Sequence, residues 1–186
     1  GGLSMGGAIA LGAALRWPER VERLILVDAA GLGSKIPYGV LGWALVHIPR
    51  LNAMGWASMA TDRNTVRPAL QRIVQDPEVV TEALIDEVFA LLQKPGAGAA
   101  WRSLQRHEVC WLHARTNYVD RLSELKMPTL ILHGEGDTLV PVAWAERAHQ
   151  LIPGSELHIV PGVAHWLPRE KPDDFARYVL GFLGRS

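Results

Sequence analysis

One cysteine, Cys110, is the whole thiol inventory of a 186-residue chain. No internal disulfide framework is therefore available, and the chain suits a reducing compartment, expected to be the cytoplasm. An excess of charge is missing too: Lys plus Arg and Asp plus Glu number 19 each. Without such an excess, neither nucleic acid nor a charged surface is expected as the main partner. No apolar run approaches the about 20 residues that a membrane helix requires. The longest candidate, Val40 to Ile48, ends at Pro49, so no membrane association is expected. Metal-ligand spacing is absent as well. His107 and His113, with Glu108 and Cys110 between them, stand at i and i+6, which do not share a helix face, and no H-E-x-x-H occurs. No metal and no cofactor are expected. Internal repeats and low-complexity tracts are also lacking.

What is present begins with "GGLSMGGAIALGAAL", Gly1 to Leu15. This stretch lacks the basic flank of a secretory signal, and it runs into Arg16-Trp17-Pro18-Glu19-Arg20. It also lacks the Lys-Ser or Lys-Thr that a phosphate-cradling loop carries after its last glycine. Gly31-Leu32-Gly33-Ser34-Lys35 is superficially closer, but Ile36-Pro37 follows and opens no helix. Gly2-Leu3-Ser4-Met5-Gly6 matches G-x-S-x-G, a strand-to-helix turn that exposes a serine while small neighbours let backbone pass close by.

Period and punctuation supply the frame. A helix is expected over Met5 to Arg16, stopped by Pro18. Buried strands are expected over Val21 to Val27, Met127 to His133 and Glu156 to Val160. Helices are expected over Val142 to Leu151 and Pro172 to Leu183. Strands alternating with helices predict an α/β fold with a parallel sheet. The stretch from Gly31 to Asn117 shows no convincing strand. Helices over Glu78 to Lys94 and Ala99 to Arg115 make it a helical cap inserted between two strands. The expected division is 1–30 with 118–186 as core and 31–117 as cap or lid.

A serine hydroxyl needs a histidine within hydrogen-bond reach and an acid that fixes the histidine tautomer. In a sheet of this type the acid follows a later strand and the histidine follows the last. Asp137 in "HGEGDTLVP" and His165 in "PGVAHW" stand at those places. Asp28, at the exit of an earlier strand, is the rival acid. His47, His107, His113, His133, His149 and His158 read as surface, cap or strand-end residues.

"GLSMGG", "WPERVERLILVDAAG", "PTLILHGEGDTLVP" and "HIVPGVAHWLPREKPDDFARYVLGFL" resemble, in order and spacing, the C-terminal two-thirds of the α/β-hydrolase-fold family. The resemblance implies Ser4 as nucleophile, His165 as general base and then acid, and Asp137 as orienting carboxylate. It also implies the Met5 amide as one oxyanion donor. Leu3, Trp166 and Val140 are expected to line the substrate site, the partner being a small hydrophobic ester. Within the family the chain resembles both esterases and the meta-cleavage-product hydrolases, which cut carbon-carbon bonds. Leu3 stands where the latter usually carry Asn or His, and 78–94 has no arginine to meet an anionic dienoate. Ester cleavage is therefore expected first and carbon-carbon cleavage second; a third alternative is a non-catalytic member, which typically loses a triad residue. Cap residues Trp43, Met54, Trp56 and Met59 suit an uncharged acyl chain, though most are expected in the cap core. The family's strands before the serine turn are expected to be absent from this chain, making it a fragment. That would leave an open edge on Val21 to Val27, favour self-association and leave the chain inactive alone.

Overall fold

The computed structural model describes residues 1–34, 39–111 and 113–184. The Lys35-Ile36-Pro37 stretch weighed above as a phosphate loop lies outside them. The chain forms two compact units: a sheet unit of Gly1–Gly33, Ile73–Asp76 and Thr116–Ser186, and a helical unit of Ser34–Arg72 and Pro77–Arg115.

In the sheet unit, strands β1 (Gly2–Leu3), β2 (Leu24–Val27), β3 (Thr129–Gly134) and β4 (Glu156–Val160) lie in the order β1-β2-β3-β4, all parallel. Around them stand α1 (Met5–Arg16), α7 (Val142–Leu151), α8 (Leu167–Glu170) and α9 (Pro172–Leu183); α2 to α6 belong to the helical unit. Side chains alternate across a strand, and the core divides accordingly. Leu24, Leu26 and Ile131 enter one cluster with Leu11, Ala14 and Ala145 of α1 and α7. Val27, Leu130 and Leu132 enter another with Leu167 and Phe182 of α8 and α9. With helices on both faces, all six residues of β3 are buried, as a doubly covered parallel sheet requires. Leu132 is fully buried, so Leu132→Ala is expected to cost about 2–5 kcal/mol, read as a lower urea midpoint.

Three expected boundaries move. The strand predicted from Val21 starts at Leu24, because the Val21 amide closes the Pro18–Arg20 turn on the Pro18 carbonyl at 3.3 Å. The strand predicted from Met127 starts at Thr129 and runs on to Gly134. The edge expected to be open on β2 is partly covered, since Gly2 pairs with Leu26 and Leu3 with Val27.

The helical unit contains α2 (Gly39–His47), α3 (Pro49–Thr61), α4 (Val66–Gln71), α5 (Glu82–Leu92) and α6 (Ala99–Glu108). Helix α5 begins four residues later than Glu78 because Pro77–Val79 forms a separate turn. Thr81 then caps the helix, its hydroxyl accepting the Leu84 amide at 3.2 Å. Helix α6 stops at Glu108 rather than Arg115, where Val109 turns extended and bridges Ala114. The Arg63 guanidinium donates to Glu82 at 2.6 Å and to Asp86 at 2.7 Å, and Arg67 donates to Glu82. These pairs tie α5 to the α3–α4 corner on an exposed face. The sequence boundaries also need correction at Ile73–Asp76, which packs with the sheet unit and not with the cap. Its backbone is held there by residues next to His165, described below.

Candidate active site

The chain passes from β1 into α1 through a single residue, Ser4, with φ 53°. A non-glycine residue there is strained, and three backbone hydrogen bonds hold it. The Ser4 amide donates to Val27 O at 2.8 Å, and its carbonyl accepts from Ala8 at 3.2 Å and Ala30 at 3.0 Å. Crowding explains two of the surrounding glycines. A Cβ on Gly2 would stand 2.2 Å from the Gly6 carbonyl carbon, and one on Gly7 would stand 2.5 Å from the Ala29 Cβ. Gly6, the second glycine of the motif, faces open space. The requirement for a small residue thus falls one position later than the motif implies.

His165 follows β4 and Asp137 follows β3, so both arrive at the carboxyl end of the sheet, where Ser4 sits at the end of β1. His165 Nε2 lies 2.9 Å from Ser4 Oγ, and His165 Nδ1 lies 2.7 Å from Asp137 Oδ2. Asp137 Oδ1 accepts the amides of Leu139 at 2.8 Å and Val140 at 3.0 Å. This fixes the carboxylate plane and leaves Oδ2 to the imidazole. A carboxylate accepts only, so Nδ1 carries the hydrogen and Nε2 is left as the acceptor for the Ser4 hydroxyl. Asp137 and His165 are 7% and 8% exposed, so little water competes for these bonds.

The histidine is held from behind. Its amide donates to Ile73 O at 3.1 Å. Glu170 on α8 accepts the Ala164 amide at 2.8 Å through Oε1, and the amides of Gln75 and Asp76 at 2.5 and 3.1 Å through Oε2. One carboxylate therefore fastens the loop before His165 to the returning segment 73–76. In sequence Glu170 is marked only as an acid five residues after the histidine.

The remaining expected residues fall as follows. Met5 is the first residue of α1, and its amide has no acceptor among the described residues. It stands at the positive end of the helix dipole. Leu3 is half-buried and packs against the Val27–Leu132 cluster. Trp166 precedes α8 and accepts the amides of Arg169 and Glu170. Val140 is buried, and its main chain holds both Asp137 and His133. Asp28, the rival acid, is fully buried with φ 44°, and its Oδ1 accepts the Gly134 amide at 2.8 Å. His165 is hydrogen-bonded to Asp137 and not to Asp28. Burial raises the Asp28 carboxyl above the ordinary carboxylate range, against the Gly134 hydrogen bond that lowers it.

His133, expected as a plain strand-end residue, is wholly buried, with Nε2 2.9 Å from Val140 O and 3.5 Å from Asp137 Oδ2. The signal available for it was a histidine closing a buried strand four residues before the acid. His47 bonds Val109 O at 2.6 Å and stacks on Trp43, His149 meets Ser155, and His158 stacks on Tyr178. His107 is exposed beside Glu108. Met54 is also exposed, at 68%, and is no part of a cap core.

A serine, a correctly tautomerised imidazole and a buried carboxylate in this arrangement can add an oxygen nucleophile to a carbonyl carbon. The family model described as Serine aminopeptidase, S33 matches residues 1–172. The chain is similar to a 2-hydroxy-6-oxo-2,4-heptadienoate hydrolase of Pseudomonas putida, 30% identical over 187 residues that cover 98% of this chain and 62% of the relative. It is likewise similar to a 2-hydroxy-6-oxo-6-phenylhexa-2,4-dienoate hydrolase of Burkholderia cepacia, 30% identical over 190 residues covering 100% and 62%. Among solved structures, a meta-cleavage product hydrolase from Pseudomonas fluorescens superposes with a TM-score of 0.76 at 28% identity, covering 98% of this chain and 62% of that one. The chain thus spans about 62% of the length of these curated relatives.

Proposed function

Because this chain belongs to the serine aminopeptidase family of α/β-hydrolases, we propose that Ser4, His165 and Asp137 act as one nucleophilic relay that hydrolyses a small carbonyl substrate. The observation that carries the proposal is the unbroken pair of contacts, 2.9 Å from Ser4 Oγ to His165 Nε2 and 2.7 Å from His165 Nδ1 to Asp137 Oδ2. His165 takes the Ser4 proton as Oγ adds to the carbonyl carbon, and the Met5 amide faces the developing oxyanion. Collapse expels the leaving group, which receives that proton from His165. Water, deprotonated by the same imidazole, then releases the acid and restores Ser4.

The bond broken depends on what can leave. An ester expels an alkoxide; a carbon-carbon bond breaks only where the departing carbon delocalises its charge, as in a conjugated hydroxydienoate. We place carbon-carbon cleavage first, reversing the order expected from sequence. The names of relatives that align over nearly the whole chain favour it. Leu3, the residue that favoured esters, is partly committed to core packing. Ester cleavage stays as the second reading because α5 carries neither Arg nor Lys.

The test is kcat/KM on one active preparation for a 2-hydroxy-6-oxo-dienoate against nitrophenyl esters of short and medium acyl chains. The dienoate is expected to exceed the best ester by at least about tenfold, about 1.4 kcal/mol of transition-state discrimination. A preference for the esters would restore the other order, and turnover of neither would remove the hydrolytic reading.

A further inference from the structure

Two buried side-chain atoms among the described residues have no hydrogen-bond partner, Asp28 Oδ2 and His133 Nδ1. Both residues have zero exposure, and unsatisfied polar atoms in such places are rare. Their residues belong to one buried cluster: a carboxylate oxygen of Asp28, a ring nitrogen of His133 and a carboxylate oxygen of Asp137 lie within 4.8 Å of one another. His133 Nε2 faces the Val140 carbonyl at 2.9 Å. A carbonyl only accepts, so this nitrogen carries a hydrogen, and a neutral imidazole then presents Nδ1 as a bare acceptor. An ionised Asp28 would leave an anionic oxygen buried with no donor among the described residues, and such a group takes a proton instead.

Charge gives the same placement. Two carboxylates this close and shielded from water do not both ionise. Asp137 accepts three donors, the amides of Leu139 and Val140 and the imidazole of His165, whereas Asp28 accepts the Gly134 amide alone. The charge belongs on Asp137 and the proton on Asp28. The titratable groups acting on Asp28 are His133 and His165, which favour its ionised form, and Asp137, which opposes it; burial outweighs them all and raises its pKa. The three residues also have the donor types of a metal site, but both Asp137 oxygens are already committed to hydrogen bonds. A proton is the occupant that fits.

We propose that Asp28 is a neutral, proton-carrying carboxylic acid beneath the relay, a positioning residue that leaves Asp137 the sole anion of the cluster. The positioning role rests on the reading of Asp137 as the orienting acid; the proton itself does not.

Infrared difference spectra of wild type minus Asp28→Asn at neutral pH test it. The expected result is the carbonyl stretch of a protonated carboxyl, shifted in heavy water. If the band is absent, Asp28 is ionised and the proposal is overturned. In Asp137→Asn the competing charge is gone, so the Asp28 band is expected to disappear at lower pH than in wild type; an unchanged titration would sever the link to Asp137. Should Asp28→Asn fail to fold, carboxyl NMR of isotope-labelled aspartates in wild type reads the same titration. A second readout is stability. The folded chain keeps a proton that the unfolded chain releases above the ordinary value of 3.8, so wild type loses stability as pH rises from there through the folded value. Asp28→Asn lacks this loss, and its Tm relative to wild type is expected to rise as pH climbs from the ordinary value through the raised folded one; a constant difference counts against the proposal. None of these measurements needs turnover. A protein that hydrolyses nothing yet shows the band would sink the proposed function and leave the proton where it is placed.

Discussion

Ser4→Ala and His165→Ala are each expected to lower kcat by roughly a millionfold, and the double variant to be no worse than either alone. Members of such a relay act as a unit: once the oxygen nucleophile or its base is removed, the survivors contribute nothing by that route. The fold is expected to survive. Alanine keeps the Ser4 backbone, whose three hydrogen bonds use main-chain atoms only, and His165 sits at the rim of the sheet unit with 8% of its surface still open. Circular dichroism and the thermal midpoint should match wild type while turnover is lost. Activity within tenfold of wild type in Ser4→Ala would remove the serine from the chemistry.

Asp137→Asn lowers kcat by about 10⁴-fold, whereas Asp28→Asn changes it by no more than a few-fold. The asymmetry follows from donors and acceptors. Two amides, those of Leu139 and Val140, point at Asp137 Oδ1, so an asparagine there must place its oxygen at that position. Its NH₂ group then faces His165 Nδ1, which must become an acceptor, and the hydrogen moves to Nε2. An Nε2 bearing hydrogen cannot take the Ser4 proton. At position 28 the same substitution is nearly silent. The oxygen keeps the Gly134 amide, and the NH₂ group stands in for the hydroxyl of a protonated acid. The reverse ranking, measured as kcat on one substrate, would move the orienting acid to Asp28.

The periodic elements were legible in sequence. Helices α1, α7 and α9 and strand β4 lie where apolar period and proline punctuation put them, because their cores are local patterns facing one sheet. That Ser4, Asp137 and His165 come together was legible for a related reason, since each follows a strand and a chain-order rule links them. The boundaries of β2, α5 and α6 were not, because each is set by a single hydrogen bond or bridge: Val21 to Pro18, Thr81 to Leu84, Val109 to Ala114. Glu170 and His133 leave only a faint mark in sequence, for a deeper reason. Their partners are backbone atoms of Gln75, Asp76 and Val140, and a main-chain amide or carbonyl leaves no mark in the residue type. Leu3 is ambiguous in sequence because its apolar character fits a substrate wall and a core equally well.

The return of Ile73–Asp76 to the sheet unit bears on how lineages of this family can recombine. A helical insertion tethered only at its two ends would be an exchangeable cassette, free to be replaced whole wherever the chain leaves and re-enters the sheet. Here the cassette is stitched down in its middle, and the stitch supplies the carbonyl that anchors the amide of His165. Grafting a foreign cap that lacks an acceptor at that point would leave a buried amide unpaired directly behind the imidazole, at a cost of roughly 1–3 kcal/mol. Chimeras are therefore constrained to cross over within 34–72 or 77–115 and to carry the four-residue stitch with the histidine loop as one inherited block.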